Sequence, residues 1–513
     1  MTKPPTPPSI ATLGELRASG WNSRSVRDEI RDNLLTRLRK KQTVFSGIVG
    51  YEHTVIPQVV NALLARHNII LLGLRGQAKT RLMRQIAELL DEWMPIVGGS
   101  EVNDDPSNPV SRHGKELVAS LGDDAPIAWV HRSDRYREKL ATPDVSIADL
   151  IGDLDPVKAA VQKLTFSHEN VINWGIIPRT NRGVFAINEL PDLQPRIQVG
   201  LLNILEEKDI QIRGFPVSLP MDILLVFTAN PEDYTNRGSI ITPLKDRIES
   251  QILTHYPTSL DEAMKITDQE AWTSRSGGVK MLMPDFIRRI VDRLAFEARG
   301  SEYVDQASGV SARLPIAALE NVLSNAERRA AMTGAKEETV RVLDVSAALP
   351  AITGKLELVY EGEQEGSFRI ATLLVGKAIR KEFEDLFPSA YRNEPDSRGR
   401  RSRTGKANLD DDPQQDAGGD LGVYKRIIDH FKDGRKLELT DDLPQKEYQK
   451  RLESVPGLHE VVAAHLGTKD GPTHYVAMEL VLEGLHQASL LAKEDIDRGL
   501  LYCDMLGSMF DDM

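Results

Sequence analysis

Gly73-Leu74-Arg75-Gly76-Gln77-Ala78-Lys79-Thr80 stands between two segments of opposite habit, and its reading decides the fold. Before it, Ile69-Ile70-Leu71-Leu72 is short, apolar and β-branched, the composition of a buried parallel strand. After it, Arg81 to Asp91 places Leu82, Ile86, Leu89 and Leu90 on one helical face. A glycine-rich turn between strand and helix lets backbone N–H groups curl around an anion, with the helix N-terminus behind them. Gly73, Gly76, Gln77 and Ala78 form the expected cradle, Lys79 reaches the β- and γ-phosphates of a nucleotide, and the Thr80 hydroxyl binds Mg²⁺. The full pattern has glycine just before the lysine, where this chain has Ala78. A methyl group is tolerable there if the local φ is negative, and it counts against a perfect match.

Further along, Val184-Phe185-Ala186-Ile187 is a second apolar strand and ends in Asn188-Glu189. P-loop ATPases end this strand in Asp-Glu, the aspartate holding the Mg²⁺ water shell and the glutamate polarising the attacking water. Here the glutamate is kept and the aspartate is an amide, which offers an oxygen but no charge. The bland alternative for Glu189 is an acid at the start of a helix. A third strand, Ile223-Leu224-Leu225-Val226-Phe227, runs into Thr228-Ala229-Asn230-Pro231, and Asn230 at its tip can orient water. Three apolar strands with polar tips fit the rule that open α/β sheets bind ligands at strand carboxyl ends.

With these motifs in place, residues from about 45 to 330 resemble an AAA+ ATPase of the magnesium-chelatase I-subunit and MoxR branch. Phe45-Ser46-Gly47-Ile48-Val49-Gly50-Tyr51-Glu52 resembles the segment lining the adenine pocket in that branch, which implicates Ile48 and Val49. Gly175-Ile176-Ile177-Pro178 and Asn181-Arg182-Gly183-Val184-Phe185 resemble its approach to the second nucleotide motif. The run from Thr228 to Asp233 resembles its sensor-1 segment, and Pro243-Leu244-Lys245-Asp246-Arg247 the segment carrying its arginine finger. Ser311-Ala312-Arg313 resembles its sensor-2 arginine. The resemblance implies a P-loop AAA+ parallel sheet flanked by helices, an α-helical lid and a C-terminal helical domain. It also implies ATP and Mg²⁺ as cofactors, a homo-oligomeric ring (a hexamer), and a partner with a von Willebrand A domain.

Charge logic supports the arginines. A transferring phosphoryl group spreads negative charge over its oxygens, and a guanidinium fork matches that geometry. Arg247 is expected to act on a neighbouring subunit's nucleotide and Arg313 on its own. Taken singly, either would be read as a surface ion pair, and for Arg182 and Arg237 nothing more is expected. Between Glu189 and Asn230, Ile197, Leu201 and Leu205 recur at helical spacing. Ile210, Ile212, Phe215, Val217 and Leu219 then alternate around Arg213-Gly214, the pattern of a hairpin. In the resembled branch such elements face the ring pore; from the residues alone they could equally be a ribbon closing over the core.

The chain has 513 residues, 41% hydrophobic and 27% charged, with a net charge of −12 and one cysteine, Cys503. That composition excludes disulfide frameworks and cysteine metal sites, argues against general nucleic-acid binding, and provides no apolar run long enough to span a bilayer. With no apolar signal region, a cytoplasmic location is the simplest expectation. The expected organisation is a disordered leader (1–20), a nucleotide-binding α/β domain (21–256) with a polar insertion near 97–126, a helical lid (257–388), a flexible linker (389–420) and a C-terminal helical domain (421–513). The linker is Arg-, Asp-, Gly- and Ser-rich, too polar to offset the entropy of ordering, and reads as a solvated tether.

Function follows as ATP-driven remodelling of a client or partner. Three alternatives accompany it. The magnesium-chelatase subunit proper is disfavoured by the insertion, Asn188 and the long tail. An activator of sigma-54 polymerase lacks its GAFTGA loop here. A weakly hydrolysing nucleotide-gated scaffold is motivated by Ala78 and Asn188.

Overall fold

A computed structural model describes residues 6–162, 169–212, 218–231, 240–275, 278–390, 422–467, 471–496 and 499–505. The chain divides into two compact units, Met1–Tyr256 and Pro257–Met513.

Five parallel strands organise the first unit: β1 (Ile69–Leu72), β2 (Tyr136–Leu140), β3 (Gly183–Asn188), β4 (Ile223–Ala229) and β5 (Ser250–Leu253). Their spatial order is β5-β1-β4-β3-β2. Parallel neighbours need crossover connections that lay helices on both faces, so the central strands are apolar but for Thr228 and Asn188 near their carboxyl ends. Every residue of β1 and β4 is buried. Strand alternation then sorts the side chains. Ile70, Leu72, Phe185, Ile187, Leu225 and Phe227 feed one core, while Ile69, Leu71, Val184, Ala186, Leu224 and Val226 feed the other. Register sets Leu72 beside Ala229 and Phe227 beside Ile187, so the carboxyl ends of β1, β4 and β3 lie level. This is a parallel α/β sheet flanked by helices, as expected from the sequence, and it brings the three strand tips to one place.

Several expectations need correcting. Residues 13–18, placed by composition in a disordered leader, form a helix with a capping box at Thr12 and with Leu13 and Leu16 buried. Leu13 N–H donates to Ala125 O (3.0 Å) and Ile127 N–H to Ala11 O (2.8 Å), tying this segment to the insertion. The prolines dominate the composition, but two leucines three apart suffice for one anchored turn. The insertion is itself framed by an antiparallel pair, Trp93–Val97 with Ile127–His131, and contains the helix Arg112–Leu121. The single helix expected through Ile197, Leu201 and Leu205 is two short ones, Pro195–Gly200 and Leu202–Glu206, although all three residues are buried. Asp209–Gln211 pairs antiparallel with Ser218–Pro220, as a hairpin requires. Its turn at Arg213-Gly214 with Phe215 and Val217 lies outside the described residues, as do Glu232, Asp233, Arg237 and the linker from 391 to 420.

In the second unit, the expected lid and C-terminal domain do not have separate cores. Phe286, Ile290, Leu294, Leu314, Ala318 and Val322 share one hydrophobic cluster with Val476, Leu480 and Leu485. The helices Ser367–Leu386 and Pro472–Gln487 pack so closely that a Cβ on Gly484 would lie 2.3 Å from the Phe383 ring. Buried polar groups join the same parts. Glu479 accepts the N–H groups of Val342 (3.1 Å) and Leu343 (2.8 Å), and Arg341 Nη2 donates to Leu443 O (2.7 Å). A polar linker marks where chain leaves a core, but not that the chain beyond it joins a different one. Alongside its helices this unit carries an antiparallel three-stranded sheet, Leu437–Thr440, Gly499–Cys503 and Ala492–Ile496 in spatial order. Among the described residues, no helix is long and apolar enough to cross a membrane.

Candidate functional site

β1 ends at Leu72, the chain turns through residues 73–78, and the helix Lys79–Ile86 begins. Space demands glycine at 73: a Cβ there would lie 1.9 Å from Thr254 Oγ1 and 2.2 Å from Gln77 Oε1. Gly76 has φ +76. Ala78, at the helix N-cap, has φ +55 and ψ 16, so the condition of a negative φ for an easily tolerated methyl group is not met. The turn into the helix calls for left-handed backbone, and alanine adopts it at a cost of about 1 kcal/mol.

Lys79 is buried beneath this turn. Its ammonium donates to Gly73 O, to Leu74 O (3.0 Å) and to Asn230 Oδ1 (2.7 Å). Asn230 in turn donates through Nδ2 to Glu189 Oε2 at 3.0 Å, so one amide at the tip of β4 joins the lysine that opens the helix after β1 to the acid that follows β3. Glu189 also stands in left-handed backbone, φ +57 and ψ 51, and its N–H is pinned by Thr228 Oγ1 at 3.0 Å. The hydroxyls of Thr228 (3.3 Å) and Thr80 (3.5 Å) both point at Asn188 Oδ1. Lys79, Thr80, Asn188, Glu189 and Asn230 are thus brought together as the sequence indicates.

The cradle fits a polyphosphate, with a helix N-terminus, a glycine whose Cβ position is already filled by polar side chains, and a buried cation. Thr80 and Asn188 fit Mg²⁺ as neutral oxygen donors, a set suited to an ion that keeps its waters and takes its charge compensation mainly from phosphate.

Other expected residues are placed differently. Ile48 is buried in the core with Phe45, Tyr51 and Val55, and Val49 is half-buried beside it. Arg247 follows the helix Thr242–Asp246 and pairs with Glu206, Nε to Oε2 at 2.7 Å, while its Nη1 donates to Pro243 O at 2.9 Å. It precedes β5, whose Ser250 lies level with Ile69 at the start of β1. Arg247 thus stands three residues before the amino end of β5, and its bonds run to Glu206 and Pro243. Arg313 opens the helix Arg313–Thr333 in the second unit, its side chain exposed there and its N–H bonded to Ser311 Oγ (3.1 Å).

Arg182, expected at the surface, is buried with φ +59 and donates to Pro95 O at 2.8 Å. Its carbonyl accepts from Arg135, which forms a buried two-pronged pair with Glu29 (2.7 and 2.6 Å). These arginines hold the fold. Residues missed by sequence reasoning are Thr228 and Tyr51, which lay inside quoted motifs, and Thr254 and Tyr256, whose hydroxyls reach the loop without any local pattern to announce them.

No protein-family model matches the chain. Among solved structures it is similar to a Cytophaga hutchinsonii protein assigned as an ATPase, at 15% identity and TM-score 0.29 over 70% of this chain and 97% of that one. It is similar to the complex of subunits BchI and BchD of magnesium chelatase, at 20% identity and TM-score 0.33 over 63% and 98%. It is also similar to NtrX from Brucella abortus in complex with ADP, at 13% identity and TM-score 0.30 over 57% and 55%. In the order of its motifs and of its strands, the chain resembles the AAA+ ATPases of the magnesium-chelatase I-subunit and MoxR branch.

Proposed function

We propose that this protein binds ATP with Mg²⁺ and hydrolyses it as an AAA+ motor of the magnesium-chelatase and MoxR type. The work done is remodelling of a protein client or drive of a metal-insertion or maturation partner. The observation that carries this is the hydrogen-bonded chain Lys79–Asn230–Glu189 across three strand tips beside the phosphate loop. Backbone N–H groups of the loop and the Lys79 ammonium bind the phosphates. Glu189 takes the proton of the attacking water, and Asn230 holds its carboxylate in place. Mg²⁺, bound with the nucleotide, supplies neutralisation of the phosphate charge. Thr80 and Asn188 are the residues that would hold it.

By the resemblance, Arg247 would act on a neighbouring copy's nucleotide and hence within a ring; in its own protomer it bonds Glu206 and Pro243. By the same resemblance, the ring would be a hexamer, a von Willebrand A protein a candidate partner, and Ile48 and Val49 the base pocket. Arg313 would act from the second unit on its own protomer's nucleotide.

A second reading, a nucleotide-gated scaffold that barely turns over, is favoured by one observation. Asn188, standing where the pattern has a carboxylate, brings no charge to the Thr80 hydroxyl. Binding of a fluorescent ATP analogue and steady-state turnover, measured on wild type, Lys79→Ala and Glu189→Gln, separate the two. A motor binds and turns over, and Glu189→Gln keeps binding alone. A scaffold binds with no turnover to lose, and a wild type that binds no better than Lys79→Ala refutes both.

A further inference from the structure

A loop that directs its N–H groups at an anion must turn its carbonyls away and satisfy them elsewhere. Two side-chain hydroxyls do this here, from two segments remote in sequence, and a third holds the Gln77 side chain. The Tyr256 hydroxyl donates to Arg75 O at 2.9 Å. The Tyr51 hydroxyl, with one proton to share, lies 2.9 Å from Gln77 O and 2.8 Å from His255 O. Thr254 Oγ1 donates to Gln77 Oε1 at 2.6 Å, and Thr254 N–H to Leu72 O at 2.7 Å.

The two segments are locked to one another. Thr54 Oγ1 sits 2.7 Å from His255 Nε2, and the Tyr51 and His255 rings meet edge-on at 4.9 Å. Tyr51 is buried, and burial pushes its phenol up to about 12, so it stays protonated at neutral pH. The clasp meets the loop where it is least self-supporting: Gln77 precedes Ala78, an alanine in backbone that favours glycine.

We propose that Tyr51, Thr254 and Tyr256 are positioning residues for the phosphate loop, the two phenols holding the Gln77 and Arg75 carbonyls outward and Thr254 holding the Gln77 side chain, so that the loop keeps its anion-binding shape with alanine at position 78. The inference rests on the nucleotide reading of the loop. Its action is through the backbone of the loop, so its loss weakens binding and leaves the hydrolytic groups Glu189 and Asn230 unchanged.

The test uses the full chain, a fluorescent ATP analogue with Mg²⁺, steady-state turnover and a thermal melt. Tyr51→Phe/Tyr256→Phe is expected to raise Kd and KM about tenfold, equivalent to about 1.4 kcal/mol, with kcat at saturation within about twofold, since the change is in binding alone. Adding Ala78→Gly is expected to restore most of the affinity, because glycine holds the left-handed turn without bracing. A merely structural role would lower the melting temperature with no such rescue. Should the double variant misfold, Tyr256→Phe alone, at a half-exposed site, carries the test with an expected shift of about threefold, half of the double variant's effect in free energy. A folded variant that binds as tightly as wild type, while Lys79→Ala does not bind, overturns the positioning role and leaves the nucleotide reading standing. Equal binding by wild type and Lys79→Ala overturns both.

Discussion

Lys79 and Asn230, 151 residues apart in the chain, meet at 2.7 Å, ammonium to amide oxygen, at the carboxyl ends of two adjacent strands. The same amide donates to Glu189, so the group that holds the acid also touches the lysine proposed to bind phosphate. Asn230→Ala removes the orientation of Glu189 but not the cradle. Turnover is expected to fall about a hundredfold, within the range that a positioned general base supplies, with nucleotide affinity nearly unchanged. Equal loss of affinity and turnover would place Asn230 in binding rather than in hydrolysis.

Asn188 gives the clearest charge prediction. Its Oδ1 faces the hydroxyls of Thr80 and Thr228. Asn188→Asp adds a negative charge beside the expected cation and keeps both acceptor positions. The Mg²⁺ concentration for half-maximal turnover is expected to drop about tenfold, on the scale of opposite charges a few ångströms apart in partly screened surroundings. A Mg²⁺ titration of ATPase activity reads this directly, and an unchanged midpoint would mean that residue 188 does not face the metal.

Arg247 pairs with Glu206 on the surface of its own protomer. Exposed pairs of this kind contribute about 0–1 kcal/mol, so Arg247→Ala is expected to leave the melting temperature nearly unchanged. Hydrolysis that rises with protein concentration should disappear, with single-chain nucleotide binding intact. Normal turnover in the assembled variant would remove Arg247 from the reaction.

A pH dependence follows from Asp292 in the second unit. The carboxyl is buried and accepts from Thr267 Oγ1 at 2.6 Å. Burial pushes it up to about 7, against a usual value of 3.8, with Asp268 adding to the rise and Arg288 and Arg299 opposing it. The folded form therefore holds a proton that the unfolded chain releases. Its stabilisation is full below the unfolded pKa, declines between about 4 and 7, and is gone above. Asp292→Asn should flatten that part of the stability-against-pH curve and leave the protein more stable than wild type at pH 8, measured by urea denaturation. Parallel curves for the two proteins would contradict it.

The strands and the phosphate site were legible because their signals are local. A fully buried parallel strand must be apolar, and its polar tip follows within two residues, so Leu72–Gly73, Ile187–Asn188 and Ala229–Asn230 announce themselves. The left-handed backbone at Ala78 and Glu189 was not legible, since neither residue type advertises it. Nor were the loop contacts of Tyr51, 26 residues before Gln77, and of Tyr256, 181 residues beyond Arg75, since both look locally like ordinary aromatic residues. The shared core of the second unit was hidden for a related reason. Helical periodicity shows that Leu480 and Ala318 are buried, but not that they are buried in one cluster. Arg182 and Arg135 show the limit for charge: a single arginine reads as surface until its buried acceptors are seen.

The most direct test of the central claim is steady-state ATP turnover as a function of protein concentration, for wild type and Glu189→Gln side by side. The account predicts wild-type activity that rises as protomers assemble, and a Glu189→Gln protein that binds nucleotide with turnover reduced at least a hundredfold. Activity that persists in Glu189→Gln, or that is independent of assembly, would contradict it.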